Sequence, residues 1–142
     1  SPDGFIHAWN ERQAMAKEGG MEGMAQPTAT RWFTDKFAND PQNGVTLQKI
    51  TNMIGSTKLD GFLGCSGALK TINYHGRIER IKAPTLFISG AEDPAAGPHE
   101  MAPLLDMLPG TKMHVVPAAG HIANMENADN YNSALTGFLN SL

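Results

Sequence analysis

Two short apolar runs, Thr85-Leu86-Phe87-Ile88-Ser89 and Met113-His114-Val115-Val116, empty into Gly90-Ala91-Glu92-Asp93-Pro94 and Pro117-Ala118-Ala119-Gly120-His121. If both runs are strands of one parallel sheet, an acid and a histidine lie just beyond the carboxyl ends, where such sheets bind ligands. A carboxylate that holds one imidazole nitrogen leaves the other free as a base, the orienting half of a nucleophile–His–acid triad. Asp93 before Pro94 is equally suited to capping a turn, and His121 to a polar loop. The pair therefore needs a nucleophile to carry chemistry. Gly64-Cys65-Ser66-Gly67-Ala68 sets small residues around Ser66, and Ser66, Asp93 and His121 stand in hydrolase order. A nucleophile elbow, however, needs a buried strand immediately upstream, and Thr57-Lys58-Leu59-Asp60-Gly61-Phe62 is not one. Nothing near Cys65 would depress its pKa and make it a nucleophile. His7, His75, His99 and His114 lack the paired spacing of metal ligands, and His114, inside a strand, reads as structural.

The elements that must position Asp93 and His121 fall in the later part of the chain. Each apolar, partly β-branched run has the form of a strand buried on both faces. Between them Glu100 to Leu108 reads as a helix, with Pro103 acceptable only in its first turn. From about Ala128 to Leu142, Tyr131, Ala134, Leu135, Phe138, Leu139 and Leu142 form one apolar stripe at helical spacing. Strand–helix–strand–helix predicts a parallel sheet wound with helices, although such sheets ordinarily hold about 4–6 strands.

Residues 1–75 offer helical pieces and no convincing strand. Asp3 is placed to cap a helix running to Lys17 and stopped by Gly19-Gly20. A second is expected from about Met21 towards Ala25, and a third around Arg31-Trp32-Phe33, ending near Phe37 ahead of Asn39-Asp40-Pro41. Two more cover about Gly44 to Ser56 and Leu59 to Asn73. Short helices without a sheet make a poor independent unit and suggest a lid. The scattered methionines read as core filling.

Composition narrows the classes. The chain has 142 residues with 11 basic and 14 acidic side chains, a formal charge of −3. Charged residues amount to 18%, below the usual ~25%, so long solvated charge runs and coiled coils are not expected. Mild acidity without a basic cluster argues against nucleic acid or an anionic membrane as partner. No apolar run approaches the ~20 residues of a membrane span. The start, Ser1-Pro2-Asp3-Gly4-Phe5, lacks a signal-peptide pattern and a Met, which suggests a processed or truncated start. The lone Cys65 excludes an internal disulfide and fits a reducing, cytoplasmic setting.

Pro84-Thr85-Leu86-Phe87-Ile88-Ser89-Gly90-Ala91-Glu92-Asp93, Leu108-Pro109-Gly110, and Ala119-Gly120-His121 followed by Asn124 and Glu126 resemble the C-terminal end of an α/β-hydrolase. Gly23-Met24, Arg31-Trp32-Phe33-Thr34 and Gly61-Phe62-Leu63-Gly64-Cys65 are similar to the cap of 3-oxoadipate enol-lactonases. The resemblance implies an α/β fold: a helical cap over 1–75, then a β-α-β-α unit of the hydrolase core over 76–142. It implies Asp93 as triad acid and His121 as base, with the serine on sequence preceding the cap, and makes the Ser66 segment a close-packed cap helix. The substrate would be a small lactone or ester, 3-oxoadipate enol-lactone in aromatic catabolism, whose free carboxylate Arg31 beside Trp32 could hold. An Arg on the cap surface with Trp32 in its packing is the plainer reading of those two. No cofactor or metal is expected. The alternatives are another esterase or cofactor-free haloperoxidase of the same fold, or a non-catalytic interaction module that pairs with the N-terminal half of a hydrolase. On its own the chain is expected to be inactive.

Overall fold

A computed structural model describes residues 2–74 and 76–142; His75 lies outside the described residues. The described residues divide into two compact units, the first formed by residues 2–30 and 41–73, the second by 31–40, 74 and 76–142.

In the first unit helix α1 (Pro2–Trp32) enters with Asp3 inside its first turn rather than as its cap. The helix is interrupted at Gly19-Gly20, as expected. Gly20, with φ 68° and ψ 178°, is non-helical and joins this helix across a kink to a second that runs to Trp32, a conformation open to a residue with no Cβ. The pieces expected near Met21 and Arg31 are therefore one continuous stretch. It contains Pro27, which has no N–H to give the carbonyl four positions back. Helix α3 (Gly44–Gly55) buries Ile50 and Ile54. Helix α4 (Leu59–Thr71) buries Ser66. Trp9 stands 6.2 Å from Phe5 and 6.4 Å from Phe62 between ring centroids, with the Arg12 guanidinium 4.9 Å above its own ring. Met21 and Met24 are buried as core filling, whereas Met15 and Met53 are exposed.

In the second unit Thr34 caps helix α2 (Asp35–Ala38), its side chain accepting from the Phe37 N–H. Strands β1 (Leu86–Gly90) and β2 (Lys112–Val116) pair in parallel, Leu86 opposite Lys112 through to Gly90 opposite Val116. Helix α5 (Pro98–Met107) connects them and packs on both strands, as does α7 (Ala128–Leu139). Proline fills the N-terminal position of α5 at Pro98, so Pro103 falls in the interior instead of the first turn. A short helix α6 (Ala123–Glu126), which periodicity is too brief to reveal, precedes α7. The core cluster is Val116, Ala119 and Ala123, with Ile88 and Tyr131 packed against it. His114 meets Asn130 of α7, Nε2 to Oδ1 at 2.7 Å, which gives it a structural partner.

Candidate active site

Beyond β1 and β2 the ladder continues into the two loops. The Ala91 N–H donates to the Val116 carbonyl and the Glu92 N–H to the Ala119 carbonyl, each at 2.9 Å. This carries the histidine loop across the end of β1. A Cβ on Gly90 would run into the carbonyl oxygens of Ala119 and Gly120, so only glycine leaves room for the crossing. Ser89 donates to the Ala96 carbonyl at 2.7 Å and holds the acid loop from below. Ala118, at φ 49°, is a non-glycine residue in the left-handed region, so the turn into His121 is strained.

Asp93 is buried, its side chain 4% exposed, and each carboxylate oxygen has its own partner. Oδ1 accepts the Ala95 N–H at 2.8 Å, and Oδ2 faces His121 Nδ1 at 2.9 Å. The turn-capping and histidine-holding roles, alternatives in the sequence, are both filled by one side chain. Burial alone pushes the Asp93 carboxyl up; the Ala95 N–H, the His121 hydrogen bond, the Ala96 N–H and the His121 charge together outweigh it. The net position is below the usual carboxylate range. An ionised Asp93 accepts from His121 Nδ1–H, which leaves Nε2 with its lone pair as the available base. His121 is 39% exposed, open to a proton donor.

Trp32, at the end of α1, lies with its ring centroid 6.1 Å from that of His121, tilted by 43°. Arg31 precedes it in the last turn of α1 and is exposed. Ser66 is placed differently. It is 1% exposed inside α4, donating to the Phe62 carbonyl at 2.6 Å and accepting from Gln13 Nε2 at 2.7 Å. A helical serine so committed is a packing residue, with neither the strand nor the turn of an elbow. Cys65 is exposed on α4, His7 pairs with Glu11 on the surface of α1, and His99 is exposed near the start of α5.

The histidine loop is also held by residues that spacing does not connect. The Glu126 carboxylate accepts the Gly120 N–H at 2.7 Å, the Thr34 N–H at 3.0 Å, and the Thr34 hydroxyl. Thr34 and Glu126 stand 92 positions apart, so no local pattern announces the pair. Among the described residues no group of three or more His, Cys, Asp or Glu is disposed to hold a metal ion. No helix among the described residues is long and apolar enough to cross a membrane. A cleft of about 460 Å³ lined by Ile81, Pro84, Thr85, Leu108 and Thr111 opens at the amino ends of the strands, away from His121.

A parallel β-α-β unit carrying a buried acid and a histidine past its strand ends is the acid–base arrangement of α/β-hydrolases. Residues 1–128 match the family described as alpha/beta hydrolase fold, and the chain belongs to it. Among curated proteins it is 30% identical to 3-oxoadipate enol-lactonase 2 of Acinetobacter baylyi over 132 residues, 93% of this chain and 48% of the relative. It is 27% identical to 3-oxoadipate enol-lactonase 1 of the same organism, over 94% of this chain and 49% of that protein. Among solved structures the enol-lactonase from Burkholderia xenovorans superposes with a TM-score of 0.87 at 28% identity, covering 94% of this chain and 50% of the other. A thermophilic esterase from Thermogutta terrifontis, at 23% identity and TM-score 0.82 over 99% of this chain and 51% of the other, shares the fold. The chain thus spans about half the length of the relatives it matches.

Proposed function

We propose that these residues are the cap and acid–base portion of a serine hydrolase that opens a lactone or ester, with an enol-lactone of the 3-oxoadipate type, in aromatic catabolism, as substrate. The observation that carries this reading is the 2.9 Å contact between His121 Nδ1 and the buried Asp93 Oδ2 at the carboxyl ends of parallel strands. In this reading a serine on sequence outside these 142 residues attacks the lactone carbonyl as His121 Nε2 takes its proton. His121 then returns the proton to the leaving oxygen and activates water to hydrolyse the acyl-enzyme. Asp93 keeps the proton on Nδ1 and balances the imidazolium. Residues of 1–75 act as the cap, with Trp32 against the imidazole as one wall of the site and Arg31 as the ligand of the substrate carboxylate. The cellular setting in this reading is the cytoplasm. No cofactor enters the scheme.

The 27–30% identity to enol-lactonases favours that substrate over simple esters. A direct test joins the chain to the N-terminal half of a related enol-lactonase and compares enol-lactone with aryl-ester hydrolysis. Lactone turnover abolished by His121→Ala and retained in Ser66→Ala is the expected result. Stoichiometric labelling of Ser66 in the isolated chain by a serine-reactive phosphonate would overturn the reading.

A second reading, a non-catalytic module whose partner is the N-terminal half of a hydrolase, draws on the two-stranded sheet and on exposed Val45, Ile72, Ile81, Val115, Leu139 and Leu142. Sedimentation separates the two: a monodisperse monomer with a sharp thermal transition counts against a surface that requires a partner.

A further inference from the structure

The residues on either side of His121 are both fastened by their backbone N–H groups. Gly120 N–H donates to Glu126 Oε2 at 2.7 Å, and Ile122 N–H donates to the Trp32 carbonyl at 3.3 Å. The Glu126 carboxylate, in turn, takes both the N–H and the hydroxyl of Thr34. That hydroxyl also accepts from the Phe37 N–H at 3.2 Å, so Thr34 is itself fixed as the cap of α2. Thr34 is buried and Glu126 half-buried. The approach is too close for a side chain at position 120. A Cβ there would stand 2.8 Å from the Trp32 carbonyl oxygen, 3.1 Å from the Phe33 carbonyl carbon and 3.3 Å from Glu126 Oε2. A carboxylate reaching across three donors on two separate segments is a clamp, because it lacks hydrogens of its own and matches a site made only of donors.

We infer that Glu126 is a positioning residue for His121: by tying the Gly120 amide to Thr34 it sets the height and rotation of the histidine loop at which Nδ1 meets Asp93 and Nε2 faces the reacting proton. The inference rests on the reading of Asp93 and His121 as the acid–base pair. Glu126 touches neither substrate nor proton in this scheme. Its carboxylate acts through the Gly120 amide, one residue from the imidazole. Without it, the buried Gly120 and Thr34 donors would lose their acceptor, and the strained Ala118 turn would lose the bond on its His121 side while keeping those to the Pro117 and Ala119 carbonyls.

Imidazole ¹⁵N spectra of the 142-residue chain read the consequence directly, independently of any activity. In the unsubstituted chain His121 is expected to carry its proton on Nδ1, facing Asp93 Oδ2. Glu126→Ala is expected to release the Asp93 contact and turn His121 into a mixture dominated by the Nε2–H tautomer. Glu126→Gln keeps one acceptor oxygen but sets an amide N–H₂ against the other donors, and is expected to fall between the two; it also serves if the alanine variant does not fold. Leu108→Ala, at a buried residue ahead of β2, lowers stability without touching the clamp and is expected to leave the His121 spectrum unchanged. Unchanged His121 signals in both Glu126 variants would overturn the inference. So would a Leu108→Ala variant that shifts His121 as much, since general loosening would then suffice. In the assembled hydrolase Glu126→Gln is expected to lower kcat by about 10-fold to 100-fold with little change in KM. An assembled protein inactive even without substitution would count against the hydrolase reading and leave the spectral result standing.

Discussion

Replacing Asp93 by Asn separates what its charge does from what its shape does. The amide fits the same space, and its oxygen can still accept the Ala95 N–H, now at 2.8 Å from Oδ1. Its nitrogen then faces His121 Nδ1, so the imidazole must accept there and move its proton to Nε2, the wrong tautomer for a base. Two hydrogen bonds to an ionised group, worth about 1.5–3 kcal/mol each, become two neutral ones worth about 0.5–1.5 kcal/mol each. Relief from holding a charge in a site only 4% exposed returns part of that difference, which leaves a net loss of about 1 kcal/mol at pH 7. The sign of the pH dependence follows from the carboxyl lying below its ordinary range. The stability conferred by the ionised group is fully present above the unfolded value of about 3.9 and is lost as pH falls through the lower folded value. Urea midpoints of Asp93→Asn and the unsubstituted chain should therefore differ at pH 7 and converge below about pH 4. A gap that is constant or wider in acid would refute the reasoning. In the assembled hydrolase the same substitution should cost about 10³-fold to 10⁴-fold in kcat, as a triad with the wrong tautomer does.

Gly90→Ala should be among the most damaging small changes, since the methyl would collide with the Ala119 and Gly120 carbonyl oxygens; a loss of about 3 kcal/mol in urea unfolding is expected. Ala118→Gly should raise stability by about 0.5–1 kcal/mol, because φ 49° at Ala118 is a conformation glycine adopts freely; thermal melts would show it as an increase of a few degrees. Ser66→Ala should destabilise by about 1 kcal/mol by removing the hydroxyl that accepts from Gln13 and donates to the Phe62 carbonyl at a site only 1% exposed, with Gln13 keeping the Leu63 carbonyl, while leaving hydrolysis in the assembled protein intact.

Much of what positions the acid and the histidine was readable because it is local. The apolar runs ending at Ser89 and Val116 announced their strands, and the stripe from Tyr131 to Leu139 announced α7. Gly20 did break the first helix, and the chain resumes as helix directly across the kink. The prolines were less readable, since Pro27 lies inside the helix that follows. Pro103 sits inside α5 as well: one lost hydrogen bond is tolerated where a helix packs on both strands.

Sequence by itself determined that a carboxylate and an imidazole leave neighbouring strand ends, because strand period and loop length fix where the chain emerges. Tertiary structure decided the rest. It turned Ser66 from a possible nucleophile into a buried helical serine hydrogen-bonded to Phe62 and Gln13. It also joined Thr34 to Glu126 across 92 positions around the histidine loop. Periodicity reports only on neighbours within a turn or a pleat, whereas hydrogen bonds between distant segments exist only once the strands have paired and brought their loops together.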